Sequence, residues 1–492
     1  METAEALQQE QNIQLIKKNS IKSVISLTIR RVILRIVGQI AFILLARILT
    51  PSEFGIFTIV SFIVNFFGFF SDIGLAAALI QKKTELTKED LRTTFTVQQI
   101  LVGTLVTLII IFAPYIITTF YKDTLAPEHT FLVQALAFSL LLASLKSIPA
   151  VLLERKLMFN KLVIPEIVET MIYNITALVL AYLGYGVWSF VVAVILRGLV
   201  GVVLIHIMHP WPIGFALNKH SFKQLYKFGL PYQLNGLVAL IKDNVVPTYV
   251  AATLGTTAVG YIGWAQKYAF LPLEPMNDII RVTFPTYARL QEQPELLKRA
   301  LEKTIYFTTL CVYPLLFGFL ALAPWIVEYV FTSKWTQALP LFYLFAINTF
   351  WAVLSTTCTN ALFAIGKSRI VLNFMILWTI LTWIMTPLLT IYYDIYGIAI
   401  TSALISFTSI GVILITKRYI KVAFIRTIGW QVVASVIMGI AVHVLAQIAV
   451  KDFFTLCVAV GVGMGLYTSM IYIFDKKRIR AEMSSIVNSY KK

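Results

Sequence analysis

The residues best suited to chemistry in this chain are ionisable side chains that lie inside long apolar stretches. The clearest group is Lys267, Glu274, Asp278 and Arg281, which share one face of a helix within about 60°. Charges inside an apolar segment are costly, so they face a water-filled cavity or an oppositely charged partner. Such a face is suited to bind an anion, for example a phosphate or an acidic sugar, or to carry a coupling ion.

Further charges of this kind fall in the predicted helices 1, 2 and 7. Arg31 and Arg35 are one turn apart, and Arg31 is predicted at a depth that allows it to pair with Asp72. The candidate anion-binding residues are Arg31, Arg35, Lys242, Lys267 and Arg281, and the candidate coupling or pairing acids are Asp72, Asp243, Glu274 and Asp278. The functional interpretation is a cavity lined by helices 1, 2, 7 and 8.

The competing interpretation is that these charges only pair with one another and fix the register of the helices. It is favoured for Lys146, Glu166, Glu169 and Arg197, because they lie close to predicted span ends. Aromatic residues near the same helices allow two interpretations, contact with sugar rings or packing, and packing is the commoner use. They are Tyr232, Tyr249, Tyr261, Trp264 and Tyr268.

These residues must be positioned by a membrane bundle. The chain has 492 residues, 58% of them hydrophobic, and its mean hydropathy is +0.81. About fourteen apolar stretches are each long enough to cross a bilayer. The predicted spans are 20–49, 55–80, 94–119, 130–150, 162–183, 187–208, 228–253, 257–284, 304–330, 337–364, 370–393, 396–416, 426–449 and 453–474. In the eighth span, Pro272 and Pro275 predict a kink.

The lysines and arginines between the spans follow an alternating pattern. They are concentrated in the two terminal segments and in the even-numbered breaks, whereas the odd-numbered breaks hold only Arg47, Lys122, Lys334 and Lys451. Cytoplasmic loops retain positive charge, so both termini are predicted to be cytoplasmic. The net charge of +17 therefore indicates membrane topology and contact with lipid headgroups rather than nucleic acid.

An internal repeat divides the chain. Ala46, Leu49 and Gly55 align with Ala251, Leu254 and Gly260 at one offset, and a Tyr-Gly pair recurs at 185–186 and 396–397. In both cases the two matching segments are six predicted helices apart, which predicts two parallel six-helix lobes. The predicted organisation is a cytoplasmic segment 1–19, an N-lobe 20–208, an inter-lobe loop 209–227, a C-lobe 228–416, two further helices in 417–474, and a cytoplasmic tail 475–492.

Motifs for enzymatic or metal chemistry are missing from the sequence. The cysteines Cys311, Cys358 and Cys457 each lie in an apolar run, and the five histidines are scattered. The run Gly366-Lys367-Ser368 resembles the end of a phosphate loop, but residue 361 is alanine where that loop needs glycine. The chain is therefore predicted not to be an enzyme and to need no cofactor.

Two segments resemble the opening of the polysaccharide exporter and lipid-linked oligosaccharide flippase family. They are Ala46-Arg-Ile-Leu-Thr-Pro-Ser-Glu-Phe-Gly55 and Asp72-Ile-Gly-Leu-Ala-Ala-Ala-Leu-Ile-Gln81. Leu153-Glu-Arg-Lys-Leu-Met-Phe159 resembles the fourth cytoplasmic stretch of that family, and Arg281-Val-Thr-Phe-Pro-Thr-Tyr-Ala-Arg289 resembles the end of its eighth helix. The resemblance is strong over residues 20–300 and rests on the helix pattern elsewhere.

This resemblance implies two lobes around a central cavity, alternating access, and a glycan on a polyprenyl pyrophosphate carrier as cargo. It also implies a bacterial inner-membrane location, contact with membrane lipids, and a link to polysaccharide polymerase machinery. A proton or a sodium ion is left open as the coupling ion. The alternatives are a multidrug antiporter of the same superfamily, which efflux of cationic dyes would reveal, and a non-transporting scaffold of the synthesis complex.

Overall fold

The computed structural model describes residues 34–82, 84–156, 158–227, 229, 233, 249–476 and 478, and every regular element within these ranges is helical. The chain divides into two compact units, Met1–Asp243 and Asn244–Lys492. The lobe boundaries given above remain a prediction.

Eight helices of the first unit are described. They are α1 (34–48), α2 (Pro51–Gly68), α3 (Leu75–Gln81), α4 (Lys88–Phe120), α5 (Thr130–Arg155), α6 (Phe159–Tyr182), α7 (Trp188–Met208) and α8 (219–227). Short 3₁₀ turns at Phe69–Ser71 and Pro127–His129 follow α2 and precede α5.

The second unit contributes nine further helices. They are α9 (Gly255–Phe270), α10 (Glu274–Arg289), α11 (Pro294–Trp325), α12 (Leu339–Ala364), α13 (Ser368–Tyr393), α14 (Tyr396–Ser406), α15 (Ser409–Tyr419), α16 (Phe424–Ala449) and α17 (Phe453–Phe474). A π-helical turn, Ile326–Phe331, and a 3₁₀ segment, Ser333–Ala338, connect α11 to α12.

Capping explains the short polar motif that separates α1 from α2. The Thr50 hydroxyl accepts the Glu53 N–H at 3.3 Å, and the Glu53 carboxylate accepts the Thr50 N–H at 2.6 Å. Pro51 occupies the first helical turn, where its missing N–H costs nothing. Thr87 and Asp90 form the same reciprocal cap at the start of α4. These caps allow helices to begin in polar sequence outside the apolar spans.

Eleven helices of the described residues are long and apolar enough to cross a membrane. The part of the chain that the structure describes is therefore all-helical, and the protein is a multi-pass integral membrane protein, as predicted. Of the three other predicted spans, 20–49 begins before the described residues, and 228–253 lies almost wholly outside them. The third, 257–284, is divided between α9 and α10. The count of fourteen thus stays a prediction.

The second predicted span, 55–80, is wrong as a continuous helix. α2 ends at Gly68, the 3₁₀ turn that follows it ends at Ser71, and α3 starts only at Leu75. Between them Gly74 adopts a left-handed backbone conformation at φ +80°. A side chain would not fit at this position, because the backbone of Gly229 lies against the Gly74 Cα. The apolar residues on both sides gave a continuous hydropathy signal that hid this break.

The predicted interruption of the eighth span is confirmed. A 3₁₀ turn, Leu271–Leu273, separates α9 from α10, and it contains Pro272. Proline removes a backbone donor and clashes with the preceding turn, which favours a break in the α-helical hydrogen bonds at this position. The predicted span 396–416 is also divided, into α14 and α15, at Phe407 and Thr408.

The loop 209–227 is an ordered part of the first unit. Its backbone N–H groups at Ala216 and Asn218 donate to the hydroxyls of Thr96 and Thr93 on α4, at 3.0 and 3.1 Å. Trp211 packs edge-on against Phe95, with ring centroids 5.2 Å apart. The loop therefore lies along the first three turns of α4 and ends in α8.

Candidate functional site

The predicted acid of the first unit, Asp72, has a structural role in the described residues. One carboxylate oxygen accepts the Leu75 N–H at 2.8 Å, and the other accepts the Ala76 N–H at 3.3 Å. Asp72 therefore caps α3, where the helix dipole favours a negative charge. Its predicted partner, Arg31, lies outside the described residues, so their pairing stays a prediction.

The predicted cation Arg35 is the second residue of the described part of α1, and its side chain is exposed. The last residue of α1 is Ile48, thirteen residues further along the chain. At 1.5 Å per residue, Arg35 is about 20 Å from that end of the helix. Its position inside the membrane stays a prediction.

The charged stripe of the second unit is split by the 3₁₀ turn. Lys267 lies in the last turn of α9 and is half-buried, whereas Glu274 begins α10 and Asp278 is exposed one turn later. The backbone of Arg281 continues α10. The face that the four residues were predicted to share is thus interrupted where the prolines predict a kink. Two further predicted site residues, Lys242 and Asp243, lie outside the described residues.

The aromatic residues of α9 pack in the interior of the second unit. Trp264 stacks on Trp335 with ring centroids 5.9 Å apart, and Tyr268 meets Phe331 edge-on at 5.0 Å. Tyr261 also contacts Trp335, at 6.2 Å. All three α9 residues are buried. The packing interpretation is confirmed for them, and their faces are not available to a sugar ring.

A basic residue of the Leu153–Phe159 motif holds the connection between α3 and α4. The guanidinium of Arg155, at the end of α5, donates to the carbonyl oxygens of Leu79 at 2.7 Å, Lys82 at 2.5 Å and Thr84. Beside it, the Lys82 ammonium pairs with the buried Asp90 carboxylate at 2.7 Å. Arginine suits this position because its planar fork carries several donors.

We expect Arg155→Ala to destabilise this connection, because three carbonyls lose a charged donor, and the net contribution of a hydrogen bond to a charged group is about 1.5–3 kcal/mol. Hydrogen exchange of amides 79–87 should accelerate by about tenfold or more in detergent-solubilised protein. Lys156→Ala is the matched control, since it removes the same charge from an exposed neighbour. Unchanged exchange in the Arg155 variant would show that the connection is held by other contacts.

Three charges on neighbouring helices of the first unit form an ion-paired cluster. The Glu169 carboxylate on α6 contacts Lys146 Nζ on α5 at 2.8 Å and Arg197 Nε on α7 at 3.3 Å. The predicted pairing of these residues is confirmed. Two of the three lie further from their helix ends than was predicted, because α5 extends to Arg155, roughly 14 Å beyond Lys146, and Arg197 lies near the middle of α7.

An apolar groove in the second unit was not predicted from the sequence. It runs between α11, α16 and α17, and its volume is about 470 Å³. Its lining includes Gly318, Leu322, Met438, Val442, Gly463 and Met464. From Cys311 to Ile326, both in the lining, α11 advances by about 22 Å. The groove is thus long enough to follow an extended chain through much of the hydrocarbon core.

The few polar groups at the groove are satisfied within the protein. The Tyr467 hydroxyl donates to the Leu310 carbonyl at 3.1 Å, and the Thr468 hydroxyl donates to the Met464 carbonyl at 2.8 Å. Leu315 and Met464 at the rim are exposed. A groove with this lining offers dispersion contacts and no ion pairing, so the ligand it fits is a hydrocarbon chain.

Small residues on separate helices create the groove. Gly318 on α11 has only the Met438 side chain near it, 3.8 Å from an ideal Cβ, whereas Gly463 on α17 packs closely on Val442. Glycines on helix faces permit such close contact in membranes, whereas nothing lies within 4 Å of a Cβ at the neighbouring Gly461 or Gly465. Within the described residues, no group of His, Cys, Asp and Glu is placed to hold a metal ion.

Comparison with known proteins gives consistent matches. The model of the family described as "Polysaccharide biosynthesis protein" matches residues 44–340. The succinoglycan biosynthesis transport protein ExoT of Rhizobium meliloti is 24% identical over 307 residues, which are 62% of this chain and 61% of that protein. The teichuronic acid biosynthesis protein TuaB of Bacillus subtilis is 24% identical over 336 residues, 68% of each chain. The match thus spans about three fifths to two thirds of these relatives.

A solved structure also shares the fold. The lipid II flippase MurJ, in an inward closed conformation, aligns with a TM-score of 0.72 and 18% identity, covering 92% of this chain and 99% of that chain. At this identity the likeness concerns the fold.

Proposed function

Because the chain belongs to the family of polysaccharide biosynthesis proteins, we propose that it is a flippase for a lipid-linked oligosaccharide. The cargo is a precursor of a cell-surface polysaccharide on a polyprenyl pyrophosphate carrier. The membrane is the bacterial cytoplasmic membrane. The family and the shared fold point to a transporter rather than an enzyme.

The observation that carries this proposal is the apolar groove between α11, α16 and α17 in a chain that also has charges inside its spans. A lipid-linked glycan has a long hydrocarbon chain and a charged, hydrated head, and no single environment suits both. The groove suits the hydrocarbon chain because its lining is apolar. The intramembrane cations suit the pyrophosphate, since they offer charged donors in place of water.

In the mechanism that we propose, the head crosses through a polar path while the chain stays in the apolar phase. The cations of that path are Arg31, Arg35, Lys242, Lys267 and Arg281. Access alternates between the two sides, so that the head is never exposed to hydrocarbon. The driving ion, a proton or sodium, would use an acid. Asp278 is a better candidate than Asp72, because the Asp72 carboxylate caps α3.

The direct test is reconstitution in proteoliposomes. Purified protein should raise the rate at which a polyprenyl-pyrophosphate oligosaccharide becomes accessible to a glycosidase on the opposite side. Protein-free vesicles and vesicles with an unrelated multi-pass protein are the controls. A rate equal to that of the controls would contradict the proposal and favour a scaffold. Efflux of a cationic dye without glycan translocation would favour the drug antiporter.

The orientation in the membrane is a separate prediction. We place both termini and the connection between α3 and α4 in the cytoplasm, because lysine and arginine are concentrated on that side. On a cysteine-free background, Tyr185→Cys in the exposed turn between α6 and α7 should react with an impermeant thiol reagent in intact cells. Thr84→Cys should react only after the cells are opened. Labelling of Thr84→Cys in intact cells would reverse the topology.

A further inference from the structure

The cluster of Lys146, Glu169 and Arg197 lies deep in the first unit. Arg197 is eleven residues before the inner end of α7 at Met208, and Lys146 is nine before the end of α5. These positions are roughly 17 and 14 Å into the helices by rise per residue. Charges at such depth are costly unless each one has a partner, so their arrangement indicates what they bind.

The carboxylate of this cluster is already neutralised. Lys146 Nζ is 2.8 Å from Glu169 Oε1, and the Glu169 side chain is only 8% exposed. Gly201 of α7 makes room for this pair, because a Cβ there would overlap Glu169 Oε1 and lie 3.0 Å from Lys146 Nζ. The pair is thus a fixed, well-packed element. Arg197 remains as the excess positive charge of the three residues.

The guanidinium of Arg197 is held by one edge. Its Nε lies 3.3 Å from Glu169 Oε2, and its side chain is 47% exposed. Within the described part of the chain, this is its one ion pair. The two terminal nitrogens form the fork that binds carboxylate or phosphate in a bidentate manner. The geometry therefore holds Arg197 in position while it leaves the recognition side of the fork exposed.

The exposed side of Arg197 does not face lipid. The exposed apolar side chains of α7 are Trp188, Leu196, Leu199, Val203 and Ile207. They form one stripe, and Arg197 lies roughly 130° round the helix from its centre, at 100° per residue. An arginine that is half-exposed at this depth and points away from the lipid stripe requires water or an anion.

The neighbouring helix supports the same conclusion. On α6, Ile175 and Val179 are exposed and mark the lipid-facing side. Glu166 is also exposed, but it lies roughly 160° from that side. Two helices thus present exposed charges on faces other than their lipid-facing stripes, as the wall of a water-filled site would.

We propose that Arg197 is an anion-binding residue of the first unit and that the Lys146–Glu169 pair positions it. The ligand class is a phosphate or carboxylate group, either from the pyrophosphate or acidic sugar of a cargo or from the headgroup of an anionic lipid. The assignment of the anion to the cargo rests on the proposed function, whereas its assignment to a lipid headgroup does not. Glu166, one turn nearer the inner end of α6, opposes binding through its negative charge.

Binding of inorganic pyrophosphate to the full chain in nanodiscs of neutral phosphatidylcholine tests the site. Arg197→Ala should weaken binding by about tenfold or more, and Arg197→Lys should weaken it less because the charge survives without the fork. Glu166→Gln should strengthen binding, an effect that misfolding cannot produce. Arg426→Ala, at an exposed position of the second unit, is the matched control for loss of one positive charge.

Equal affinity of the wild type and Arg197→Ala would overturn the proposal, as would weaker binding by Glu166→Gln. Adding phosphatidylglycerol to the nanodiscs separates the two sources. If it competes with pyrophosphate only when Arg197 is present, the site accepts a lipid headgroup. If it does not compete and Arg197→Ala also lowers glycan translocation, the site accepts the cargo. Pyrophosphate binding through Arg197 in a protein that translocates no glycan would uphold the site and reject the proposed function.

Discussion

Gly318→Leu is expected to lower translocation of the lipid-linked glycan by about tenfold or more. Gly318 lines the apolar groove on α11, and the nearest atom to a Cβ there is Met438 Cε at 3.8 Å. A leucine side chain at this position enters the groove without an overlap at its Cβ. It then occupies volume that the hydrocarbon chain of the cargo needs. A tenfold loss corresponds to about 1.4 kcal/mol of binding in the rate-limiting state.

Gly461→Leu is the matched control for this prediction. Gly461 lies on α17, outside the groove lining, and no atom is within 4 Å of a Cβ there. Both substitutions replace a helical glycine and raise helix propensity by a similar amount, about 0.8 kcal/mol. Stability effects should therefore be alike, and only the groove variant should lose transport.

The measurement is the rate of glycan translocation in proteoliposomes at equal protein density. Normal transport by Gly318→Leu would show that the groove does not accommodate the cargo chain. Equal loss in both variants would also contradict the assignment, because it would point to a general effect of leucine in the bundle. Thermal unfolding of each purified variant checks that both fold.

The helices themselves were largely predictable from the sequence because an apolar run of bilayer length is a strong signal. The interruption at Pro272 was predictable as well, since proline has a fixed backbone effect. The break at Asp72–Gly74 was missed, although an aspartate two residues before a glycine is a capping signal. Hydropathy averaged over a window does not register a turn of three residues between apolar segments.

Helix ends were the weaker part of the prediction, and they changed the interpretation of the charges. Apolar sequence suggested that the fourth span ends at 150, but α5 continues to Arg155, whose side chain binds the carbonyls of the α3–α4 connection. That extension moves Lys146 away from a span end. A residue interpreted as interfacial thereby becomes part of a mid-span cluster with Glu169 and Arg197.

The apolar groove could not be predicted because it depends on how three helices pack. Glycines at 318 and 463 are separated by more than a hundred residues, and neither is unusual within a membrane helix. Only the tertiary contacts show that Gly463 allows α17 to approach Val442 while Gly318 leaves space. Side-chain volume in a packed interior is a property of all neighbours together.

Arg35→Ala is expected to abolish glycan export while the protein still inserts and folds. Arg35 lies about 20 Å from the C-terminal end of α1, and the sequence predicts it inside the membrane, too deep for its side chain to snorkel. A guanidinium at such a depth is costly, and binding of an anionic cargo group would offset that cost. In the proposed mechanism it binds the phosphate or acidic sugar of the cargo head. Without Arg35, the anionic group of the cargo head would lose its hydration with no cation to compensate for the desolvation.

Arg35→Lys separates charge from geometry, because lysine keeps the positive charge but loses the planar fork, and partial export is expected. Surface polysaccharide in cells that depend on this protein gives the readout, with the amount of folded protein measured by size-exclusion chromatography. Arg426→Ala controls for the loss of one positive charge at an exposed site. Normal export by Arg35→Ala, or a loss explained wholly by misfolding, would make Arg35 structural. The path of the cargo head would then have to use cations other than those of α1.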